Sequence, residues 1–184
     1  MAFDFKNATA AERKAECARI ATKLGDDQFF TKKELNHLPE ILMSGEQVLA
    51  FTSGLMDGNT WLITLTDKRI IFLDKGMIYG LKQAIIDLDK VNSISGKTGI
   101  FFGDISIQDG AANRTITNVW KKTVVKFTNE VRDAIEARKN AHRQPAAALH
   151  QDDVATKLEK LAALMEKGIL TREEFAQQKA KLLG

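Results

Sequence analysis

The central part of the chain alternates apolar and polar residues with a period of two, which predicts β-strands. Trp61, Ile63 and Leu65 alternate with Leu62, Thr64 and Thr66. The turn Thr66-Asp67-Lys68 follows, and residues 69–73 form an almost continuous apolar run. Apolar runs of this kind, bounded by Asp and Gly, are typical of a β-hairpin. We therefore predict two antiparallel strands joined by a tight turn, around which the rest of the domain is organised.

Short strand-like stretches continue on both sides of this hairpin. Asp57-Gly58-Asn59 predicts a second hairpin turn, because glycine supplies the positive φ that such turns need. Seven short strands separated by turn residues favour an antiparallel barrel or sandwich. The predicted strands are residues 47–56, the two strands of the central hairpin, and residues 82–88, 91–95, 101–108 and 114–119.

A helix is predicted directly after the last strand. Trp120, Val124, Phe127, Val131 and Ile135 follow one another at spacings of four, three, four and four residues. This pattern places them on one apolar face of a helix, which we expect to close the barrel. The residues predicted to share one core are Ile63, Leu65, Ile71, Phe127 and Val131.

Two helices are predicted before the strands. Residues 8–24 have a thinly apolar face, and Gly25 is a plausible end for that helix. Thr31 and Glu34 have the spacing of a capping box, which predicts the start of a second, short helix. Pro39 is expected to interrupt this helix or to restart the chain, because proline lacks a backbone N–H.

The last part of the chain predicts a helical hairpin after a linker at residues 141–151, which contains Pro145. Gly168 is a plausible C-cap, and Thr171 with Glu174 forms a further capping box. A unit this small has a high ratio of surface to volume, so we expect its apolar faces to contact a partner or a second copy. The residues predicted for this contact are Leu158, Leu161, Met165, Phe175 and Leu182.

Two apolar runs between the predicted strands have two possible roles. Met77-Ile78-Tyr79 and Ile100-Phe101-Phe102 lie where solvent-exposed loops are expected. Either they fold back onto the core, or they form a contact patch, since exposed apolar clusters mark interaction sites. The residues of this possible surface patch are Met77, Tyr79, Phe101 and Phe102.

Composition narrows the classes of protein. The chain has 184 residues and a net charge of +3, with charges of both signs interspersed, so basicity alone does not indicate nucleic-acid binding. No apolar run approaches the ~20 residues that span a bilayer. The N-terminus lacks the apolar segment of a signal peptide, and a single cysteine fits a reducing compartment, so a cytoplasmic location is expected.

No catalytic constellation is found in the sequence. Gly96-Lys97-Thr98 lacks the earlier glycine of a phosphate-binding loop, since Val91 occupies that position. Cys17 and His37 have no partner at a catalytic or metal-ligand spacing, and His142 and His150 are eight residues apart. We therefore expect no enzyme, no cofactor and no metal site.

Two segments resemble known families. Residues 38–140 resemble bacterial PH-like domains of the YokE-like type, through Leu38-Pro39, Gly45-Glu46, the segment from Thr66 to Ile71, and the final amphipathic helix. The C-terminal hairpin is similar to the SHOCT (short C-terminal) domain. The matching residues are Leu158, Leu161, Leu164, Gly168, Ile169, Leu170, Thr171, Glu174, Phe175, Lys179, Leu182 and Leu183.

The resemblance implies an α+β protein of bacterial or phage origin. It implies a seven-stranded antiparallel PH-like barrel capped by a C-terminal helix, with an N-terminal helical extension and a C-terminal helical hairpin. The predicted domains are 1–37 for the extension, 38–140 for the barrel, 141–151 for the linker and 152–184 for the hairpin.

Neither family implies an enzyme, so the expected function is a non-enzymatic interaction or assembly protein that forms a homo-oligomer or binds a protein partner. Three cations before the hairpin, Arg138, Lys139 and Arg143, leave a nucleic-acid accessory or regulatory role as the alternative. A PH-like fold first suggests phosphoinositide binding through the turn after the first strand. The turn at residues 55–60 has no Lys or Arg, so peripheral membrane contact is not expected, and no small-molecule substrate is identified.

Overall fold

The computed structural model describes residues 3–26, 31–76, 80–166 and 170–183, with the backbone alone for residues 142–157, 160, 166, 182 and 183. The chain divides into two compact units, residues 1–138 and residues 139–184. Four α-helices and seven strands are described, with a short 3₁₀ helix at Leu88–Lys90. They are α1 (Ala10–Leu24), α2 (Lys32–Ile41), β1 (Val48–Met56), β2 (Asn59–Thr66), β3 (Arg69–Lys75), β4 (Leu81–Asp87), β5 (Val91–Thr98), β6 (Phe102–Asp109), β7 (Asn113–Trp120), α3 (Lys121–Glu166) and α4 (Arg172–Leu183).

The seven strands form one antiparallel sheet in the order β4-β3-β2-β1-β7-β6-β5. The two edge strands, β4 and β5, are neighbours in the sequence, and β1 meets β7 through the pair Leu55 and Thr117. Gly54 lies beside this junction, where a Cβ would come within 2.4 Å of the Ile116 side chain. Only glycine leaves enough room for the two halves of the sheet to approach this closely.

The first three turns of α3 pack into the same core as the sheet. Val124, Phe127 and Val131 are fully buried in the cluster that also contains the β2 and β3 side chains. The predicted core of Ile63, Leu65, Ile71, Phe127 and Val131 is therefore confirmed, since every member is fully buried. The apolar residues of α3 recur at the helical period, so they lie on one face of the helix. This face packs against the sheet.

The two halves of the sheet are covered differently. The last six residues of β2 are all buried, whereas β6 alternates between buried and more exposed positions. A strand that is buried on both faces needs a layer on each side. Helices α1 and α2, which contact β1 and β3, supply the second layer through residues such as Ile20, Leu24 and Leu38.

The turn between β1 and β2, at Asp57-Gly58, has the positive φ angles that the sequence predicts. Asp57 has φ +52° and Gly58 has φ +76°, so both central residues are left-handed. This is the conformation of a type I′ turn, whose twist matches that of the flanking strands.

Helix α2 corrects two predictions. Thr31 is the N-cap residue but makes no capping hydrogen bond with its side chain, so the predicted box with Glu34 is wrong. The buried Glu34 carboxylate instead accepts a hydrogen bond from the backbone N–H of Lys75, at 2.9 Å. Pro39 does not interrupt the helix, which continues to Ile41. A proline near the end of a helix removes one hydrogen bond, and here that loss does not stop the last turn.

Trp120 corrects a third prediction. It was expected on the buried face of α3, but it is the last residue of β7 and is 44% exposed. The cause is an irregularity in the pairing of β6 and β7, where Asn118 has φ +57°. The extra residue of a bulge inverts the alternation of the strand, so Val119 points into the core and Trp120 points outward.

The second unit, residues 139–184, contains the later part of α3 and all of α4. The segment predicted as a linker, 141–151, is helical, because α3 continues without interruption to Glu166. The capping box of α4 is confirmed: the Thr171 N–H and hydroxyl donate to the Glu174 carboxylate at 2.9 and 2.8 Å, and the Glu174 N–H donates to the Thr171 hydroxyl at 3.3 Å. The predicted C-cap Gly168 lies outside the described residues. The domain boundaries stay a prediction.

Candidate functional site

The sequence motifs around the central hairpin build a buried ion pair. The guanidinium of Arg69 donates two hydrogen bonds to the Glu46 carboxylate, with N–O distances of 2.8 and 2.9 Å. The Thr66 hydroxyl and the Met43 backbone N–H also donate to this carboxylate, each at 2.8 Å. Arg69 Nη2, which makes one of the two bonds to Glu46, also donates to the Ile41 carbonyl at 3.0 Å. The end of α2 is thereby fixed to the turn between β2 and β3.

Electrostatics identify this pair as structural. Burial by itself would raise the pKa of Glu46, but the hydrogen bonds from Arg69, Met43 and Thr66 outweigh it, so the pKa lies below its ordinary value. Both side chains are almost fully buried. Asp67 adds a further link, since its carboxylate accepts the Gln47 backbone N–H at 2.8 Å. These contacts hold the hairpin in place.

The residues considered for phosphate binding, catalysis or metal binding have the following surroundings in the structure. Gly96 lies in β5, where a Cβ would come within 2.7 Å of Val124, so this glycine allows α3 to pack closely against the strand. Burial raises the pKa of the Cys17 thiol to about 11, which keeps it protonated and a poor nucleophile at neutral pH. His37 pairs with Glu40 on the same helix, at 2.9 Å. The side chains of His142 and His150 lie outside the described residues.

Over the described residues, no group of three or more His, Cys, Asp or Glu side chains is arranged to hold a metal ion.

None of the described helices is both long enough and apolar enough to cross a membrane.

An exposed apolar cluster lies at one end of the sheet, at the turn between β5 and β6. Ile100 is 82% exposed, Phe101 71%, Phe102 43% and Trp120 44%. The rings of Phe102 and Trp120 lie together, with centroids 4.7 Å apart and planes inclined by 34°. We call these four residues the aromatic tip.

Backbone hydrogen bonds hold the aromatic tip in shape. The N–H of Gly99 donates to the carbonyl of Phe102 at 2.7 Å, and the N–H of Lys121 donates to the carbonyl of Phe101 at 3.0 Å. The second bond connects the turn to the start of α3. The exposed apolar side chains therefore lie on a turn whose backbone is fixed by hydrogen bonds.

The aromatic tip contains only part of the predicted surface patch. Phe101 and Phe102 do not fold back onto the core, which excludes one of the two interpretations for residues 100–102. Met77 and Tyr79 lie outside the described residues. Sequence reasoning missed Trp120, because the helical spacing of its neighbours assigned it to the core. The signal that could have found it is Asn118, a residue type that adopts the left-handed conformation and so permits a bulge.

The residues predicted for the C-terminal contact occupy both helices of the second unit. Leu158, Leu161 and Met165 lie on α3 and Phe175 on α4, and each is half-buried. The side chain of Leu182 lies outside the described residues. Across the described side chains of residues 139–184, none is fully buried. This unit therefore holds apolar residues without enclosing them.

The cations that suggested nucleic acid are also placed. Lys139 is exposed and Arg138 is half-buried on α3, while the side chain of Arg143 lies outside the described residues. Arg138 and Lys139 are thus the two of these three cations whose side chains the structure describes, and the nucleic-acid alternative stays a prediction.

Comparison with known proteins gives two family matches. The family model described as "Bacterial PH domain" matches residues 42–133, and the model described as "Short C-terminal domain" matches residues 156–183. Both families are those that the sequence resembles. No curated protein matches the chain.

Solved structures that are similar to part of this chain include two pleckstrin-homology proteins. A protein with a pleckstrin-homology domain from Shewanella loihica is 15% identical, with a TM-score of 0.42, covering 56% of this chain and 94% of its own. A pleckstrin-homology domain from Shewanella amazonensis is 17% identical, with a TM-score of 0.42, covering 56% of this chain and 96% of its own.

Proposed function

Because the chain belongs to the bacterial PH domain family and carries a SHOCT domain, we propose that it is a non-enzymatic interaction or assembly protein of the cytoplasm. In this proposal the sheet and its helices present a binding surface. The C-terminal helices bring copies of the chain together, or dock on another protein. Neither domain type is known for catalysis.

One observation carries the proposal: the described side chains of residues 139–184 include no fully buried residue. Leu158, Leu161 and Met165 remain partly exposed to water. Exposed apolar surface costs roughly 25 cal/mol per Å², which favours covering it with a partner surface. A second copy of the chain is the partner most readily available, so self-association is the leading form of the proposal.

Light scattering after size-exclusion chromatography tests self-association, with Leu161→Asp as the variant. An unpaired carboxylate in an apolar contact is strongly unfavourable, so the variant should have the mass of a single chain, while the wild type has a multiple of that mass. Circular dichroism of the variant should show that the first unit remains folded.

Ala163→Asp is the matched control, because it adds the same charge to the same helix at an exposed position. It should keep the wild-type mass. An equal mass for the wild type and Leu161→Asp contradicts self-association through this hairpin and leaves docking on a different protein. A loss of mass in both variants shows that added charge alone disrupts the assembly.

A further inference from the structure

Three lysines flank the aromatic tip along the chain. Lys97 lies in β5 just before the turn, and Lys121 and Lys122 begin α3 directly after Trp120. All three lysines are exposed, and Asp104 lies opposite Lys97 in the sheet. The exposed apolar side chains of the tip are therefore flanked along the chain by exposed lysines.

The exposed apolar area of the aromatic tip is too small for a stable protein–protein interface. From the exposed fractions of its four residues, the apolar area is on the order of 400–500 Å². A standard protein–protein interface buries about 800 Å² on each partner. Lysine is also depleted in such interfaces, whereas it is abundant beside membrane-inserted aromatic residues.

We propose that the aromatic tip inserts into the headgroup region of a bilayer that contains anionic lipids. Ile100 and Phe101, the most exposed members, enter the boundary of the acyl chains. Trp120 lies at the headgroup level, where the amphipathic indole ring is favoured. Lys97, Lys121 and Lys122 contact the anionic headgroups.

This proposal goes beyond the proposed function and does not rest on self-association. It also differs from the phosphoinositide contact considered for residues 55–60, where cations are absent from the sequence. The tip lies at another turn and requires no phosphate pocket, because burial of apolar surface and the general charge of the bilayer supply the binding.

Sedimentation of the full chain with lipid vesicles tests the proposal. Vesicles of phosphatidylcholine with about a third phosphatidylglycerol should bind the protein, and pure phosphatidylcholine vesicles should bind it several-fold less. Ile100→Ser/Phe101→Ser should weaken binding to the anionic vesicles roughly tenfold or more, because it removes the inserted surface. Lys97→Glu/Lys121→Glu should weaken it in a way that added salt reproduces for the wild type.

Met43→Ser is the matched control, since Met43 is 49% exposed in the segment between α2 and β1. It should bind as the wild type does. All these substitutions are at exposed positions, and an unchanged unfolding temperature will show that the fold is intact. The proposal is wrong if the wild type does not sediment with anionic vesicles, or if Ile100→Ser/Phe101→Ser binds them equally well.

Tryptophan fluorescence gives a second readout. The chain has two tryptophans, and Trp61 is buried with its indole N–H bonded to the Met56 carbonyl at 2.9 Å. Trp120 therefore reports on the tip, and its emission should shift to shorter wavelength on addition of anionic vesicles. A constant emission despite sedimentation places the contact elsewhere and contradicts insertion of the tip. A change in solution mass for Ile100→Ser/Phe101→Ser without lipid assigns the tip to a second copy instead.

Discussion

The two units of this chain use their apolar residues in different ways. Residues 1–138 enclose a large cluster of fully buried side chains, drawn from the sheet, α1, α2 and the first turns of α3. Residues 139–184 have no fully buried residue among their described side chains. The first unit has enough volume to bury its own apolar surface, whereas two helices do not. The first unit therefore encloses its own core, whereas the described apolar side chains of the second unit remain partly exposed.

The largest expected effect is loss of a core ring in the first unit. Phe127→Ala should lower the free energy of unfolding by ~3–5 kcal/mol, since Phe127 is fully buried and its removal leaves a cavity. Chemical denaturation measures this change. Val125→Ala on the same helix is the control, and its effect should stay within about 0.5 kcal/mol because Val125 is exposed. Equal effects of the two substitutions would show that α3 is not part of the core.

Loss of the ion pair between Glu46 and Arg69 should lower the free energy of unfolding almost as much as loss of Phe127. Arg69→Met leaves the buried Glu46 carboxylate without its main partner, which should cost about 3 kcal/mol or more of unfolding free energy. Lys75→Met, an exposed change on the same strand, should be close to neutral. A near-neutral Arg69→Met would mean that the motif does not stabilise the fold.

The same pair predicts a dependence on pH. Because the pKa of Glu46 is lower in the folded state than its ordinary value of 4.5, the ionised form stabilises the fold above that value. This stabilisation is lost as the pH falls through the folded-state pKa. The difference in unfolding free energy between the wild type and Glu46→Gln should therefore shrink in acid. A difference that is constant with pH would contradict the lowered pKa.

A smaller effect is expected at the junction of β1 and β7. Gly54→Ala places a Cβ 2.4 Å from the Ile116 side chain and 2.8 Å from the Thr117 carbonyl oxygen. Overpacking of this kind should cost ~1–3 kcal/mol of unfolding free energy. Gly110→Ala is the matched control, since nothing lies within 4 Å of its Cβ position. A stable Gly54→Ala protein would show that the two halves of the sheet can separate slightly without loss.

The smallest effect belongs to the second unit and sharpens the comparison. Thr171→Ala removes the N-cap of α4 and should reduce the stability of that helix by ~1 kcal/mol. The main unfolding transition, which reports on the first unit, should not move. Hydrogen exchange of the α4 amides measures the local change, and Thr171→Ser, which keeps the hydroxyl, is the control. A shift of the main transition would show that the two units unfold together.

The sequence by itself determined the features that depend on neighbours along the chain. The turn at Asp57-Gly58 needs positive φ at two residues, and the capping box of Thr171 and Glu174 spans one helical turn. The buried face of α3 follows from a spacing that any helix imposes. The seven strands and their order along the chain follow from short apolar runs between turns. These local signals also carry the likeness to the two families.

Only the tertiary structure decided the features that depend on distant residues. Thr31 was the predicted local partner of Glu34. The buried Glu34 carboxylate instead accepts a hydrogen bond from the backbone N–H of Lys75 in β3. The bond between Glu46 and Arg69 joins residues 23 positions apart, and no periodicity encodes such a pair. The bulge at Asn118 turned Trp120 away from the core and beside Phe102. The free energy gained by burying a side chain against distant residues competes with its local conformational preference. Where the gain from burial is larger, it decides the position of the side chain.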